Sequence, residues 1–103
     1  MMQLNVNHQL QLLHDLLEDH AFDLDYSLSE YEQIKRLVQS IISQSQLSNE
    51  ELIQVLPEIY HYGSQGKHVQ NIEEHIITNQ EQIENWLNTI MHSLSEHRHD
   101  IIR

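Results

Sequence analysis

Cysteine is absent from the 103-residue chain, and glycine and proline are scarce, with two residues and one residue respectively. Without cysteine the chain can form neither disulfides nor a thiolate zinc site, which is typical of proteins of the reducing cytoplasm. A β-fold needs turn residues at each chain reversal, whereas helix interiors avoid both glycine and proline. The composition therefore predicts a single all-α domain, and we expect a cytoplasmic protein.

Basic residues are also few, because sixteen acidic residues face only five basic ones and the formal net charge is −11. Affinity for nucleic acid comes mainly from cations that neutralise phosphates, and the five lysines and arginines do not form a stripe. Long apolar runs are missing as well, so we expect neither a signal peptide nor a membrane span. The sequence predicts no nucleic-acid partner and no membrane partner.

Apolar residues at helical spacing divide the chain into amphipathic helices. The first helix is predicted over about 6–20. A serine followed three residues later by a glutamate forms a capping box, which satisfies two unpaired amide donors at a helix start. This signal occurs at Ser29 with Glu32 and again at Ser48 with Glu51, and it predicts the starts of the second and third helices.

The third predicted helix contains Pro57, which lacks an amide donor and crowds the preceding turn, so a kink is expected there. Gly63 suits the left-handed position after a helix. The last apolar pattern, over about 68–95, is either one long helix or two helices that divide at a third capping box of Thr78 and Glu81. We favour the division, because it repeats a signal that the chain uses twice.

These elements predict an antiparallel bundle of four to five helices, with the third helix kinked at Pro57. Residues 1–95 are expected to form the single helical-bundle domain, and residues 96–103 a frayed C-terminal tail.

The acidic segment EDHAFDLDYSLSEYE, residues 18–32, has apolar residues that alternate with polar ones. A calcium loop would need glycine at its sixth position and glutamate at its twelfth, where this chain has Leu28 and Ile34. A single strand would lack a partner for its backbone. We predict an extended linker, and leave open a lid that binds a partner or a weak cation site. Its inward-facing side chains would be those of Phe22, Leu24, Tyr26 and Leu28.

Nine histidines are spread along the chain, and two groups of them have a spacing that places ligands on one helix face. The first is His68 with His75, and the second is His92 with Glu96 and His99. Neither group is part of an HExxH motif, and neither is accompanied by a cysteine ligand. We therefore predict structural or solvated histidines, with no metal ligand, no cofactor and no catalytic residue.

Three aromatic residues have predicted roles in packing. Trp86 lies in the apolar seam of the last helical pattern and is expected to be a core anchor whose indole N–H needs a partner. Tyr60 and Tyr62 flank His61 and are expected to pack around the kink, or alternatively to rim a binding surface.

Three stretches of the chain carry a family resemblance: SEYEQIKRLVQSI (29–41), VLPEIYHYGSQG (55–66) and HIITNQEQIENWL (75–87). They resemble the small YtzH-like proteins of Bacillus-type bacteria. The resemblance covers most of residues 8–90 and leaves the C-terminal tail outside. It implies a cytosolic bacterial protein of about this length, and it carries over no catalytic residue.

The first and third predicted helices have apolar sectors of about 160°, wider than a minimal bundle seam requires. Because excess apolar surface favours association, the leading hypothesis is a protein–protein interaction module or a small homo-oligomer. The alternative is a histidine-based sensor of metals or small ligands. An enzyme is not expected, since the chain offers no nucleophile with its base and no glycine-rich phosphate loop.

Overall fold

The computed structural model describes residues 6–22, 28–44 and 49–102 of the chain. Nearly all of these residues are helical, and no strand occurs among them. The helices are α1 (Val6–Phe22), α2 (Leu28–Gln44), α3 (Glu50–Gln65), α4 (Ile72–Thr78) and α5 (Gln80–Ile102). The predicted all-α class is confirmed, with five helices.

Neighbouring helices run antiparallel, as contacts between their ends show. Gln9 near the start of α1 donates to Ser40 near the end of α2, with 3.0 Å between Nε2 and Oγ. Gln80 at the start of α5 donates to the backbone carbonyl of Ala21 near the end of α1. α2 packs mainly on α3, and α1 packs on α5. One end of the bundle therefore collects the ends of α1 and α3 and the starts of α2 and α5.

Every helix contributes apolar side chains to one contiguous core. On each long helix these side chains recur three and four positions apart, so that one face is removed from water. The buried apolar residues are Leu10, Leu13, Leu17, Ala21, Tyr31, Ile34, Val38, Ile41, Leu52, Val55, Leu56, Ile59, Tyr62, Ile76, Ile83, Trp86, Leu87 and Ile90.

Asparagine side chains cap two of the helices. Asn49 Oδ1 accepts a hydrogen bond from the amide of Leu52 at 3.1 Å, and Asn71 Oδ1 accepts one from the amide of Glu74 at 3.0 Å. Each bond satisfies an amide that has no partner inside its helix. The N-cap of α3 is therefore Asn49, one residue after the predicted Ser48, which itself is outside the described residues.

The predicted start of α2 is close to the observed one, since α2 begins at Leu28 and the expected cap was Ser29. The prediction for Phe22 is wrong: this side chain is 47% exposed. α1 continues through Phe22, so the helical period applies, and it turns Ala21 inward and Phe22 outward. Leu24, Tyr26 and the side chain of Leu28 lie outside the described part of the chain.

α3 is one continuous helix from Glu50 to Gln65 with Pro57 inside it, and the predicted kink is not confirmed. The prediction for Gly63 is wrong, because Gly63 lies within α3 and is buried rather than following the helix. Gly66 is the C-cap, with φ −55° and ψ −30°, which is right-handed rather than left-handed. The reason for a glycine at these positions is close packing, as the geometry of the site shows.

The division of the last helical pattern is confirmed, and it falls at Asn79 between α4 and α5. The Asn79 side chain donates to the carbonyl of His75 at 2.8 Å, and its backbone amide bonds to the last turn of α4. α5 continues to Ile102, and the frayed tail over 96–103 stays a prediction. Within the described residues, no helix has the length and apolar character needed to cross a bilayer.

Candidate functional site

A hydrogen-bonded group of six side chains lies where the helix ends meet, and we call it the His–Tyr network. It draws on α1, α2, α3 and α4, so only the tertiary fold assembles it. Its members are His20, Glu30, Tyr31, Tyr62, Gln65 and His75.

His20 is the most deeply buried member of the network, with no exposed surface. Its Nδ1 lies 2.8 Å from Glu30 Oε1, and its Nε2 lies 2.8 Å from the Tyr62 hydroxyl. A buried imidazole is costly unless its nitrogens are hydrogen-bonded, and here both nitrogens have partners. The geometry also allows an ion pair with Glu30 when His20 is protonated.

The network continues from Tyr31 toward the surface. The Tyr31 hydroxyl lies 2.9 Å from Nδ1 of His75, and Nε2 of His75 lies 3.1 Å from Gln65 Oε1. The amide nitrogen of Gln65 in turn lies 3.2 Å from Nε2 of the exposed His61. Tyr31 and Tyr62 are hydrogen-bonded to each other through their side chains, which joins the two halves of the network.

The rings of the network pack directly on one another. His75 stacks on Tyr62, with 4.8 Å between ring centroids and an interplanar angle of 9°. His20 meets Tyr31 edge-on at 4.8 Å, and Trp86 contacts Tyr62 edge-on at 5.6 Å. Such stacked and edge-on contacts are favourable geometries for aromatic rings, and they fix the orientation of each hydrogen-bonding group.

Two glycines make this packing possible. A Cβ at Gly66 would lie 2.5 Å from Cδ1 of the Tyr31 ring, and a Cβ at Gly63 would lie 3.1 Å from the backbone oxygen of Tyr31. The Tyr31 ring can therefore occupy its place only because Gly66 lacks a side chain, whereas a Cβ at Gly63 would require its neighbours on α2 to shift by a few tenths of an ångström.

Burial changes the pKa of three network residues. It raises the pKa of Tyr62, and the neighbouring Tyr31 raises it further. Burial also raises the pKa of Tyr31, against an opposing effect of its hydrogen bond with Tyr62. Burial lowers the pKa of His75, and the charge of His20 acts in the same direction. At neutral pH both tyrosines and His75 are therefore uncharged.

A cleft with a volume of about 450 Å³ lies between α3 and α5 beside the network. Trp86 is buried at its base, and its indole Nε1 donates to Glu58 Oε1 at 3.0 Å, which confirms the predicted core role and the predicted need for a partner. Tyr62 is buried, in agreement with a packing role, whereas Tyr60 is partly buried. The cleft is lined by Pro57, Glu58, His61, Tyr62, Gln65, Asn79, Gln82 and Trp86.

A second depression, which we call the α1–α2 groove, has a volume of about 480 Å³. Three leucines form its apolar part, and Leu12 among them is 48% exposed. The polar part carries two aspartates from α1 and one arginine from α2. The groove is lined by Leu12, Asp15, Leu16, Asp19, Gln33, Arg36, Leu37 and Ser40.

The structure separates the first predicted group of histidines. His68 lies in the turn before α4, whereas His75 lies inside α4 with both ring nitrogens in the His–Tyr network. His92 is exposed on α5, and the side chains of Glu96 and His99 are outside the described residues.

One other group of possible ligands is present on α1. In the described part of the chain, His14, Asp15 and Glu18 are the three side chains that bring ligand atoms within 4.8 Å of one another. His14 Nδ1 lies 3.4 Å from Asp15 Oδ1. The two carboxylates are exposed, and exposed acidic groups commonly cluster without binding a metal.

Sequence reasoning missed the His–Tyr network, although one signal could have found parts of it. His20 follows Leu17 by three positions on the apolar stripe of α1, and Tyr31 precedes Ile34 by three on that of α2. A polar ring on an apolar stripe must find a partner inside the core. The partner of His20, however, is Tyr62, which lies 42 positions later in the chain, so spacing alone cannot identify it.

The fold and the site define a small, acidic, five-helix protein with a buried His–Tyr network. The sequence profile of the family described as YtzH-like protein matches residues 4–90, and the chain belongs to this family. A relative from Bacillus subtilis (strain 168), described as "Uncharacterized protein YtzH", is 33% identical over 86 residues. The match covers 84% of this chain and 92% of that relative. No solved structure matches the chain significantly.

Proposed function

We propose that this protein is a cytoplasmic interaction module that binds a basic amphipathic helix of another protein in the α1–α2 groove. The observation that carries the proposal is the exposed apolar floor of the groove beside the two aspartates of α1. Helices that dock in grooves present apolar residues at i, i+3, i+4 and i+7, which match a groove formed by two packed helices. A binding role needs no catalytic group, and we expect no enzymatic activity.

The apolar part of the groove supports docking because it is larger than the bundle itself requires. Leu16 and Leu37 pack against the core from one side, while Leu12 is 48% exposed. Leu12 and Leu16 are also the residues that widen the apolar stripe of α1. Covering such surface with a partner's apolar side chains is favourable by about 25 cal/mol for each Å² removed from water.

Charge favours a basic partner over a second copy of the chain. The groove carries Asp15 and Asp19 against Arg36, and the whole molecule has a formal charge of −11. A second copy would bring the same negative charge to the interface, whereas lysines beside the apolar face of a partner helix would pair with the aspartates. We therefore place a different protein in the groove rather than a homodimer.

The alternative of a metal or ligand sensor has weaker support. His20 and His75 use both ring nitrogens in hydrogen bonds inside the His–Tyr network. A metal at either residue would have to replace those bonds at a cost.

A peptide titration tests the proposal directly. The probe is a labelled helical peptide with leucines at i, i+3, i+4 and i+7 and lysines beside them, and fluorescence anisotropy measures its affinity. Leu12→Gln is expected to weaken binding about tenfold, because it removes the most exposed part of the floor. The matched control is Ile53→Gln on α3, since Ile53 is equally exposed at 47% but lies outside the groove. Equal losses for both variants would refute the groove as the binding site.

A charge test separates docking from general attraction to an acidic protein. Replacing Asp15 and Asp19 by asparagine is expected to weaken binding and to reduce its salt dependence. Replacing Glu81 and Glu84 by glutamine removes the same charge from the exposed side of α5 and should change binding less. If the two pairs of substitutions act equally, the peptide responds only to net charge and the proposal fails.

A cross-linking experiment in the native host tests the identity of the occupant. A photoreactive amino acid at position 12 should capture a protein through a segment with basic residues beside an apolar helical face, and the same amino acid at position 53 should not. Capture of a second copy of the chain from position 12 would overturn the proposed partner in favour of self-association.

A further inference from the structure

We infer that the His–Tyr network is a chain of hydrogen bonds with a single direction, which couples a proton shared by His20 and Glu30 to the orientation of the Gln65 amide. This inference concerns a different region from the α1–α2 groove and does not depend on the proposed partner. The chain runs through the six members of the network in the order Glu30, His20, Tyr62, Tyr31, His75 and Gln65, and it continues beyond the network to His61.

The direction is shared because each inner member has one hydrogen for two partners. A tyrosine hydroxyl donates one hydrogen bond, and a neutral imidazole has one ring N–H. Tyr62 lies between His20 and Tyr31, and Tyr31 lies between Tyr62 and His75. If one of these bonds reverses, its neighbours must reverse as well, or two hydrogens or two lone pairs would face each other.

The observed orientation of Gln65 selects one direction. Gln65 Oε1 accepts from Nε2–H of His75, so Nδ1 of His75, which is neutral, must accept from the Tyr31 hydroxyl. By the same rule Tyr31 accepts from the Tyr62 hydroxyl. Tyr62 then has only lone pairs for the 2.8 Å contact with Nε2 of His20, which must therefore carry a hydrogen.

The other nitrogen of His20 then requires a proton in the pair with Glu30. Nδ1 of His20 and Oε1 of Glu30 are 2.8 Å apart, a distance that requires a hydrogen between them. Because Nε2 already carries a hydrogen, the pair is either an imidazolium with a carboxylate or a neutral imidazole with a carboxylic acid. In both cases this direction of the chain contains one proton more than neutral His20 with ionised Glu30.

Loss of that proton reverses the chain. Nε2 of His20 becomes an acceptor, Tyr62 donates to it, Tyr31 donates to Tyr62, and Nδ1–H of His75 donates to Tyr31. Nε2 of His75 then needs a donor, which the Gln65 amide supplies when it turns by half a rotation. The amide oxygen of Gln65 now faces His61, which must present an N–H instead of a lone pair.

The charged and titratable groups around His20 are consistent with a shared proton at this point. Glu30 and Tyr31 face it from α2, Tyr62 from α3 and His75 from α4. Both tyrosines keep their hydrogens because burial raises their pKa values. Glu30 is in direct contact with His20, with 2.8 Å between Oε1 and Nδ1, so the proton is shared between these two side chains.

The consequence is a surface change that follows an internal protonation. Gln65 and His61 line the cleft between α3 and α5. In one state the cleft presents the amide N–H₂ of Gln65 to His61, and in the other it presents the carbonyl oxygen. A pH change that is sensed in the core thus alters which hydrogen bonds the cleft can offer.

Nitrogen-15 NMR of the histidine rings in the unmodified protein is the primary test. We expect His75 to carry its hydrogen on Nε2 while the His20–Glu30 pair holds the proton, and to change to the Nδ1–H form over the same pH interval in which the pair loses it. A single tautomer of His75 throughout the titration of His20 would overturn the inference.

A set of variants tests whether hydrogen bonds carry the coupling. Gln65→Glu replaces the amide by a carboxylate, which can only accept, so the pair should retain its proton to a pH that is higher by about one unit. Gln54→Glu makes the same change on the exposed side of α3 and should shift the titration little. In the double variant Tyr31→Phe with Gln65→Glu the chain is interrupted, and the shift should disappear. A shift that persists would show a purely electrostatic effect and would contradict the inference.

Discussion

Gly66 and Tyr31 show how one missing methyl group supports the site. The Tyr31 ring is buried against Gly66, and its hydroxyl bonds to His75. The backbone of Gly66 is right-handed, so any residue could adopt its conformation. The requirement for glycine at this position is therefore steric and comes from a residue more than thirty positions earlier in the chain.

We predict that Gly66→Ala destabilises the protein by about 1–3 kcal/mol, because overpacking against a buried ring outweighs the gain of about 0.4–1 kcal/mol from a less flexible unfolded chain. Urea denaturation measures the change. In a Tyr31→Leu background, which removes the ring, the same substitution should cost much less. An equal cost in both backgrounds would contradict the steric explanation.

His75 gives a prediction for the pH dependence of stability. Burial lowers the pKa of folded His75 below its usual value, so the unfolded chain binds this proton more readily. The contribution of His75 to stability is therefore complete above about pH 6.5 and is lost as the pH falls through the lowered folded pKa. Denaturation at pH 7.5 and 5.5 should show a smaller difference between wild type and His75→Gln at the lower pH. His68→Gln, which replaces an exposed histidine, should show no such change.

At the scale of the helices, α3 is the element in which local preference and tertiary structure disagree. Pro57 lies inside α3, where it cannot donate to the carbonyl of Ile53, yet the helix continues to Gln65. Residues on both sides of Pro57 in the sequence are buried, namely Val55, Leu56 and Ile59. Their packing in the core holds the helical turn around Pro57 in place. Tertiary packing is thus strong enough to offset a poor helix former.

We expect Pro57→Ala to stabilise the protein by about 2 kcal/mol, since proline costs about 3 kcal/mol relative to alanine inside a helix and returns less than 1 kcal/mol through the unfolded state. Pro57 is exposed, so the substitution opens no cavity in the core. Thermal and urea denaturation would measure the gain, and Pro57→Gly should fall between the two. No gain for Pro57→Ala would mean that the turn does not form the missing hydrogen bond.

At the scale of the whole molecule, negative charge and histidine content dominate the behaviour in solution. The formal charge is −11 with nine neutral histidines. With unperturbed pKa values near 6.5, the nine histidines together would bring the net charge to roughly −3 by about pH 5.5. His75 resists this change because burial lowers its pKa.

The resulting prediction is that solubility falls steeply between pH 7.5 and 5.5, because the self-repulsion that keeps copies apart is lost. Turbidity across this interval measures it, with circular dichroism as the control that the protein remains folded. A flat turbidity trace would show that charge does not limit association.

Local patterns predicted the elements well and their exact ends less well. Apolar residues at helical spacing indicated α1, and the repeated serine–glutamate signal indicated breaks near the observed ones. Phe22 was misplaced because an alternating pattern suggested extended chain where the helix in fact continues. Such errors occur at helix ends, where two periods can be read from the same few residues.

The sequence by itself determined that this chain forms an antiparallel set of amphipathic helices, because helical spacing of apolar residues and scarce glycine and proline are local properties. Only the tertiary structure decided that His20, Tyr31, Tyr62 and His75 share a network and that Gly66 admits the Tyr31 ring. The physical reason is that a buried polar group is stabilised by whichever partner the fold brings within hydrogen-bonding distance. That partner can lie more than forty positions away, beyond the range of any local pattern.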